Sequence, residues 1–172
     1  MAELTPMMRQ YFDIKKTCDG ILLYRLGDFY EMFYDDAKIA SKELDLVLTG
    51  RDCGQEERAP MCGIPFHSCE GYIAKLVKNG HKVHICEQTE DPKKAKGLVK
   101  REIIRTITPG TVIEASMLDE DCNNYIASVY LSAVGIGVCF ADITTGEMLA
   151  TDMTGSNLNA YAMNELGRFL PR

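Results

Sequence analysis

Residues 25–38 read "RLGDFYEMFYDDAK", and the Gly27-Asp28 step inside them decides how the first half of the chain folds. Apolar and aromatic runs flank it, "ILLYRL" at 21–26 and "FYEMFY" at 29–34. Two turn residues between strand-like runs predict a tight β-hairpin, because glycine reaches the positive φ such turns need. Side chains alternate along a strand, so Phe29 and Glu31 share one face and Tyr30 and Met32 the other. By residue type alone, Phe29, Tyr30, Phe33 and Tyr34 read as core aromatics. Glu31 disturbs that reading mildly, since one face of a strand can stay in water.

Working outward, Thr5-Pro6 is a helix start, a capping hydroxyl followed by proline at the first helical position. That helix runs to about Thr17, with Met8 and Phe12 on its apolar face. After the hairpin, Asp35 or Asp36 caps a helix carrying Ala37, Ala40 and Leu44 at helical spacing. "DLVLTG" (45–50) reads as a short strand, "RDCGQEERAP" (51–60) as a polar loop and "MCGIP" (61–65) as a buried strand or turn. Ser68 begins a third helix with an apolar stripe of Tyr72, Ile73, Leu76 and Val77, closed by Gly80. "HKVHICEQ" (81–88) alternates as a strand. A basic loop then leads into a strand ending at Pro109-Gly110. This mixed order predicts an α/β domain over 1–113. An acidic linker follows at 114–122. Residues 123–172 hold three meandering strands and a helix capped by Ser156, a thin core that marks a truncated module.

Charge divides the chain the same way. The net charge of −6 belongs wholly to its C-terminal third, because Thr106–Gly167 holds eight acidic residues and no Lys or Arg. Such a stretch does not suit a phosphate backbone. The 46% apolar and 26% charged composition is that of a globular protein. No run of about eighteen apolar residues predicts a membrane span, and "MAELTPMMRQ" lacks a signal-peptide core, which gives an expected cytoplasmic location.

Enzymatic chemistry finds few footholds. A phosphate loop of the form GxxxxGK[ST] is absent, and "GIGVCF" has Phe140 where a dinucleotide fingerprint needs a small residue. Cys62, His67 and Cys69 lack the paired spacing of a zinc site, and no Cys–His pair stands out as a nucleophile and base. Asp142 with Glu147 could open a metal-dependent nuclease site, which needs more converging carboxylates. The simpler reading puts Asp142 in a turn, bonding the backbone near Thr144. Lys93, Lys94, Lys96, Lys100, Arg101 and Arg105 form a basic stretch that is either a solvated face or a phosphate-tracking patch.

Three segments in order, "YRLGDFYEMFYDDAKIAS", "MCGIPFHSCEGYIAKLVKNGHKVHICEQ" and "RTITPGTV", resemble the N-terminal mismatch-recognition domain of the MutS family of DNA mismatch repair proteins. The resemblance spans Thr5 to Val112 and continues through "NYIASVY" and "GVCFADITTGE" into the start of the family's connector domain. It implies an α/β (α+β) fold: a mixed β-sheet flanked by helices, then a partial RNase H-like connector. It implies that Phe29 is a stacking wedge in the DNA minor groove and Glu31 a base-contacting carboxylate, with Arg51 and Arg101 near the DNA backbone. Glu31 would either accept a base N–H or donate as a neutral acid. Catalytic, cofactor and metal residues are not expected in this chain, since the family's ATPase, with ATP and Mg, lies beyond residue 172. The implied partners are double-stranded DNA with mispairs or small loops, a second copy in the full-length homodimer, and other repair proteins through the connector. The implied location is cytoplasmic and nucleoid-associated. Two rival readings stand beside it, a signal-transmitting protein-interaction module and a metal-dependent nuclease fragment.

Overall fold

A computed structural model describes residues 3–91, 95, 97–118 and 122–172. Lys93, Lys94 and Lys96 of the basic stretch, and residues 119–121 of the expected acidic linker, lie outside the described residues. The chain divides into two compact units, 1–108 and 109–172.

The first unit runs α1 (Pro6–Lys15), β1 (Ile21–Leu26), β2 (Phe29–Phe33), α2 (Tyr34–Leu44), β3 (Thr49–Arg51), β4 (Ala59–Pro65), α3 (Cys69–Lys78), β5 (Val83–Gln88) and β6 (Arg101–Ile107). Its six strands lie in the order β3-β4-β2-β1-β5-β6. β1 and β5 pair parallel, the other neighbours antiparallel. Helices cover both faces, so the central strands are buried on both sides and read as near-continuous apolar runs. On one face Met8 and Tyr11 of α1 pack against Leu22, Tyr24, Phe33 and Cys86, with the Tyr11 ring edge-on to Tyr24 and Phe33. On the other, α2 buries Ala37, Ala40 and Leu44, and α3 buries Ile73, Leu76 and Val77. Each large apolar side chain so buried contributes about 1.5–3 kcal/mol.

Thr5 caps α1 as the sequence predicts, its hydroxyl accepting the Met8 N–H at 3.3 Å. The start of α2 differs from expectation. Neither Asp35 nor Asp36 caps it; Phe33 stands at the cap in extended conformation, and Tyr34 takes φ 51 to turn the chain straight from strand into helix. With no linker residue, both aspartates fall in the first helical turn, where the helix dipole favours carboxylates. Asp36 is buried there. It accepts the Leu22 N–H at 3.0 Å and pairs with Lys15 at 2.8 Å, tying α2 to β1 and α1. Residues 45–48 are not a strand either. Asp45 ends α2 in the left-handed region at φ 57, and pairing begins only at Thr49. Ser68 occupies the cap position of α3 but makes no side-chain cap bond.

The second unit is a meander of β7 (Tyr125–Leu131), β8 (Gly135–Asp142) and β9 (Glu147–Thr154), followed by α4 (Leu158–Phe169). Asn157, not Ser156, stands at the cap of α4, at φ 64. The helix packs Ala162, Leu166 and Phe169 against Tyr125, Ile136, Val138 and Phe140, and the Phe169 ring stacks on Phe140 at 4.3 Å. Gly110 passes so near β7 that a Cβ there would lie 1.9 Å from Ile126 Cγ2.

Candidate nucleic-acid interface

The hairpin closes through Gly27 and Asp28, with Leu26 opposite Phe29. Gly27 has φ 58 and Asp28 is not in the positive region, the sign pattern of a type II′ turn, which puts glycine first. Phe29 opens β2 between Leu26 and Pro65. It shares a face with Phe33, two register steps nearer the turn. Phe33 is sealed beneath α1, whereas Phe29 is 46% exposed. The expectation of an all-core aromatic cluster thus holds for Tyr30 and Phe33, holds in part for Tyr34, which is half-buried against the core, and fails at Phe29, the ring at the tip.

Glu31 lies one step inward, opposite Tyr24 and Gly63. Its two oxygens sit 2.7 and 2.5 Å from Nη1 of Arg51. The carboxylate is largely covered, at 13% exposure, while the Arg51 side chain is 37% exposed. Gly63 supplies the space beside them: a Cβ there would touch Glu31 Cγ at 3.5 Å and Phe29 Cδ1 at 3.8 Å. Phe29, Glu31 and Arg51 therefore share one face near the tip. The pairing of Glu31 with Arg51, twenty positions apart, had no local signal in the sequence.

Arg101 does not join them. It is 7% exposed, at the start of β6. Its Nε donates to the Arg25 carbonyl at 2.7 Å, and its Nη1 to Gln10 Oε1 and the Val99 carbonyl, both at 2.9 Å. The guanidinium also lies over the Tyr24 ring at 5.0 Å. A cation so enclosed ties the sheet to α1 through these bonds. Gln10, which also accepts from the Tyr24 hydroxyl at 2.5 Å, is the partner that sequence reading had no means to find.

The back of the hairpin is equally built. Tyr30 is buried and its hydroxyl donates to Glu87; burial first, then that acceptor, raises the phenol pKa. Arg25 donates from Nη1 to the same Glu87 oxygen at 3.0 Å and from Nε to the Gly27 carbonyl at 2.5 Å. Its guanidinium lies 3.5 Å from the centre of the Phe66 ring, and the Phe66 N–H donates to the Asp28 carbonyl at 3.0 Å.

The enzymatic alternatives find no assembled site among the described residues. No group of three His, Cys, Asp or Glu converges to hold a metal ion there. Burial pushes the Cys62 thiol up to about 11, away from the nucleophilic thiolate. His84 is bonded through both ring nitrogens, to Thr106 and Asp19. Asp142 spends both oxygens on the fold: Oδ1 accepts from the Thr144 N–H and hydroxyl, Oδ2 from the Asn124 N–H. Glu147 accepts the Tyr125 hydroxyl at 2.5 Å. No helix among the described residues is long and apolar enough to cross a membrane.

A mixed sheet covered by helices on both faces, with an exposed aromatic ring and an arginine-paired carboxylate at one hairpin tip, defines an α/β sheet domain. The family model described as MutS domain I matches residues 5–116, and the chain belongs to that family. Similar curated proteins are the DNA mismatch repair protein MutS of Acetivibrio thermocellus, 58% identical over 172 residues, and that of Ruminiclostridium cellulolyticum, 55% identical over 172; each match covers 99% of this chain and 20% of the relative. The MutS of Clostridium botulinum strain Hall is 58% identical over 171 residues, 98% of this chain and 18% of its own. The chain spans about one fifth of the length of the relatives it matches.

Proposed function

We propose that this chain recognises mispaired duplex DNA in mismatch repair, with Phe29 as the minor-groove wedge and Glu31 as the group that contacts the displaced base. The observation that carries the reading is the exposure of Phe29 beside a buried Phe33 on the same face. An aromatic side chain left in water at a rigid turn forgoes the burial its neighbours gain, which makes sense where a partner completes it.

An apolar ring inserted at a base step partly unstacks it and kinks the duplex by roughly 20–90°. Unstacking costs a few kcal/mol, least where pairing is already poor. Stacking on the ring returns about 1–3 kcal/mol. The terms nearly cancel, so the lower cost of deforming a mispaired step decides entry, and no base sequence need be read. Arg51 supports the role of Glu31, since a carboxylate brought near phosphates costs less when a guanidinium offsets its charge. Paired in this way, Glu31 acts as an acceptor for a base N–H. The backbone-contact role falls to the half-exposed Arg51, and Arg101 serves the fold.

The wider reading follows the relatives. Nothing in the chain matches GxxxxGK[ST], so ATP and magnesium binding, and with them ATPase activity, belong to the part of the relatives outside the matched fifth. Homodimerisation and a cytoplasmic, nucleoid-associated location complete this proposal. A domain order of recognition module (1–113), linker (114–122) and partial connector (123–172) also belongs to it. The second unit favours protein rather than DNA as its partner, because Thr106–Gly167 carries no cation to meet phosphate, while Tyr130, Leu131 and Val134 stand exposed.

The test measures affinity for matched and G·T-mispaired duplexes by fluorescence anisotropy at several salt concentrations. It uses a chimera in which residues 1–172 replace the matching segment of the Acetivibrio thermocellus relative. Phe29→Ala should bring the mispair-to-match ratio close to one. An undiminished ratio refutes the wedge.

A further inference from the structure

We infer that Arg25 is the positioning residue of the recognition hairpin: it locks the Gly27-Asp28 turn from the back so that Phe29 meets DNA already oriented. This inference rests on the wedge reading of Phe29.

Four restraints converge on the turn. Arg25 Nε holds the Gly27 carbonyl at 2.5 Å, and the Phe66 N–H holds the Asp28 carbonyl at 3.0 Å. Both carbonyls of the two-residue turn are thus fixed by groups outside it, one from β1 and one from the residue that follows β4. Arg25 then joins the two restraints to each other, because its guanidinium lies over the Phe66 ring, with Cζ 3.5 Å from the ring centre. Finally Glu87, from the neighbouring parallel strand, accepts from Arg25 and from the Tyr30 hydroxyl. Tyr30 follows Phe29 directly and points to the opposite face, so anchoring its hydroxyl fixes the strand twist at the wedge.

The chemistry requires arginine. A planar guanidinium donates in two directions while presenting a face to an aromatic ring; an ammonium at the same place can serve as a point donor but cannot stack flat. The cluster is also placed where it can matter. The Arg25 side chain is 15% exposed and that of Glu87 24%, on the face away from Phe29, so neither acts by touching the base step that Phe29 enters. What it changes is the freedom of the turn. A ring on a loose hairpin must be ordered upon insertion, and that cost falls on the mispaired complex, the one the ring enters, so it narrows the gap from matched duplex; a ring already held keeps its stacking energy for that gap.

The test compares Arg25→Ala, Arg25→Lys and Glu87→Gln with Phe29→Ala. Amide hydrogen exchange is read at Phe66, whose N–H is bonded to the turn, and at Leu22, in the core, using the 172-residue chain. The mispair-to-match affinity ratio is read in the chimera. Arg25→Ala should speed exchange at Phe66 about tenfold with Leu22 unchanged, and lower the ratio severalfold with matched-duplex affinity within about twofold. Arg25→Lys should fail to restore either readout, and Glu87→Gln, which keeps an acceptor for Tyr30, should fall between. If Phe29→Ala abolishes the preference while Arg25→Ala leaves ratio and Phe66 exchange intact, the positioning role is wrong and the wedge survives. If Phe29→Ala also leaves the preference intact, the wedge reading itself fails. Faster exchange at Leu22 as well as Phe66 in both Arg25 variants would make Arg25 a general stabiliser and overturn the inference.

Discussion

Replacing Arg101 with alanine separates a fold-holding arginine from a phosphate-binding one. The side chain donates three hydrogen bonds, to Arg25 O, Gln10 Oε1 and Val99 O, and covers the Tyr24 ring. Gln10 keeps the Tyr24 hydroxyl as a donor, so the Arg25 carbonyl is the main acceptor stranded by the change. A stranded buried acceptor costs about 1–3 kcal/mol, and loss of a desolvated cation–π contact about 0.5–2 kcal/mol. Together the expected destabilisation of the first unit is about 2–5 kcal/mol, a large share of the roughly 5–15 kcal/mol that holds a domain together. At about 4–8 °C per kcal/mol for a domain near this size, Tm should fall by at least about 8 °C. Urea unfolding followed by circular dichroism, with the transitions of the two units fitted separately and the slope m unchanged, measures it. Duplex affinity below the transition should keep its salt slope. A stability change under about 0.5 kcal/mol, together with a salt slope lower by about one phosphate contact, would show Arg101 on the DNA backbone and refute its burial as the reason for its presence.

Two further outcomes follow from charges in place. Glu31→Gln removes the anion paired with Arg51, leaving that guanidinium to face phosphate; matched-duplex affinity should rise and its log–log salt slope steepen by about 0.9, while discrimination falls, as anisotropy titrations would report. Improved discrimination would count against the role given to Glu31. In the second unit, hydrogen bonds from Thr144 and then from backbone N–H groups hold the Asp142 carboxyl below its usual 3.8. The folded state therefore binds that proton less readily than the unfolded chain, so the stabilisation is complete above about pH 4 and drains away as pH falls below 3.8 through the depressed value. Acid titration of the second unit's unfolding should show this loss, and Asp142→Asn should flatten it.

Local signals were readable wherever the structure uses local physics. Gly27 had to be glycine for a two-residue turn, Thr5 and Pro6 announced α1, and strict alternation sorted Tyr30 and Met32 from Phe29 and Glu31 before any partner strand was known. The order of three strands and a helix in the second unit followed from turn spacing. What could not be read depends on residues far apart in sequence. Gln10 and Arg101 meet across 91 positions, and no pattern in either neighbourhood distinguishes a buried arginine from those of a basic surface. Asp36 looked like a cap because acidic residues gather at helix starts for two reasons, capping and dipole. Lys15, from a different helix, decides between them. Phe29 itself was misread by residue type, since an aromatic in a strand is ordinarily buried, and only the family resemblance pointed outward.

The Glu87 latch carries a consequence for synthesis. Glu87 lies 62 positions after Arg25, whereas the hairpin closes on its own neighbours. A hairpin forms in about 1–10 μs, but a ribosome adding about 5–20 residues per second needs on the order of 3–12 s to deliver the strand that restrains it. Through that interval the hairpin lacks the strand that braces it, and a lone two-stranded hairpin is marginally stable at best in water. The aromatic tip thus takes its final rigidity from a strand made well after it, so its order is set by completion of the sheet and not by the hairpin's own closure.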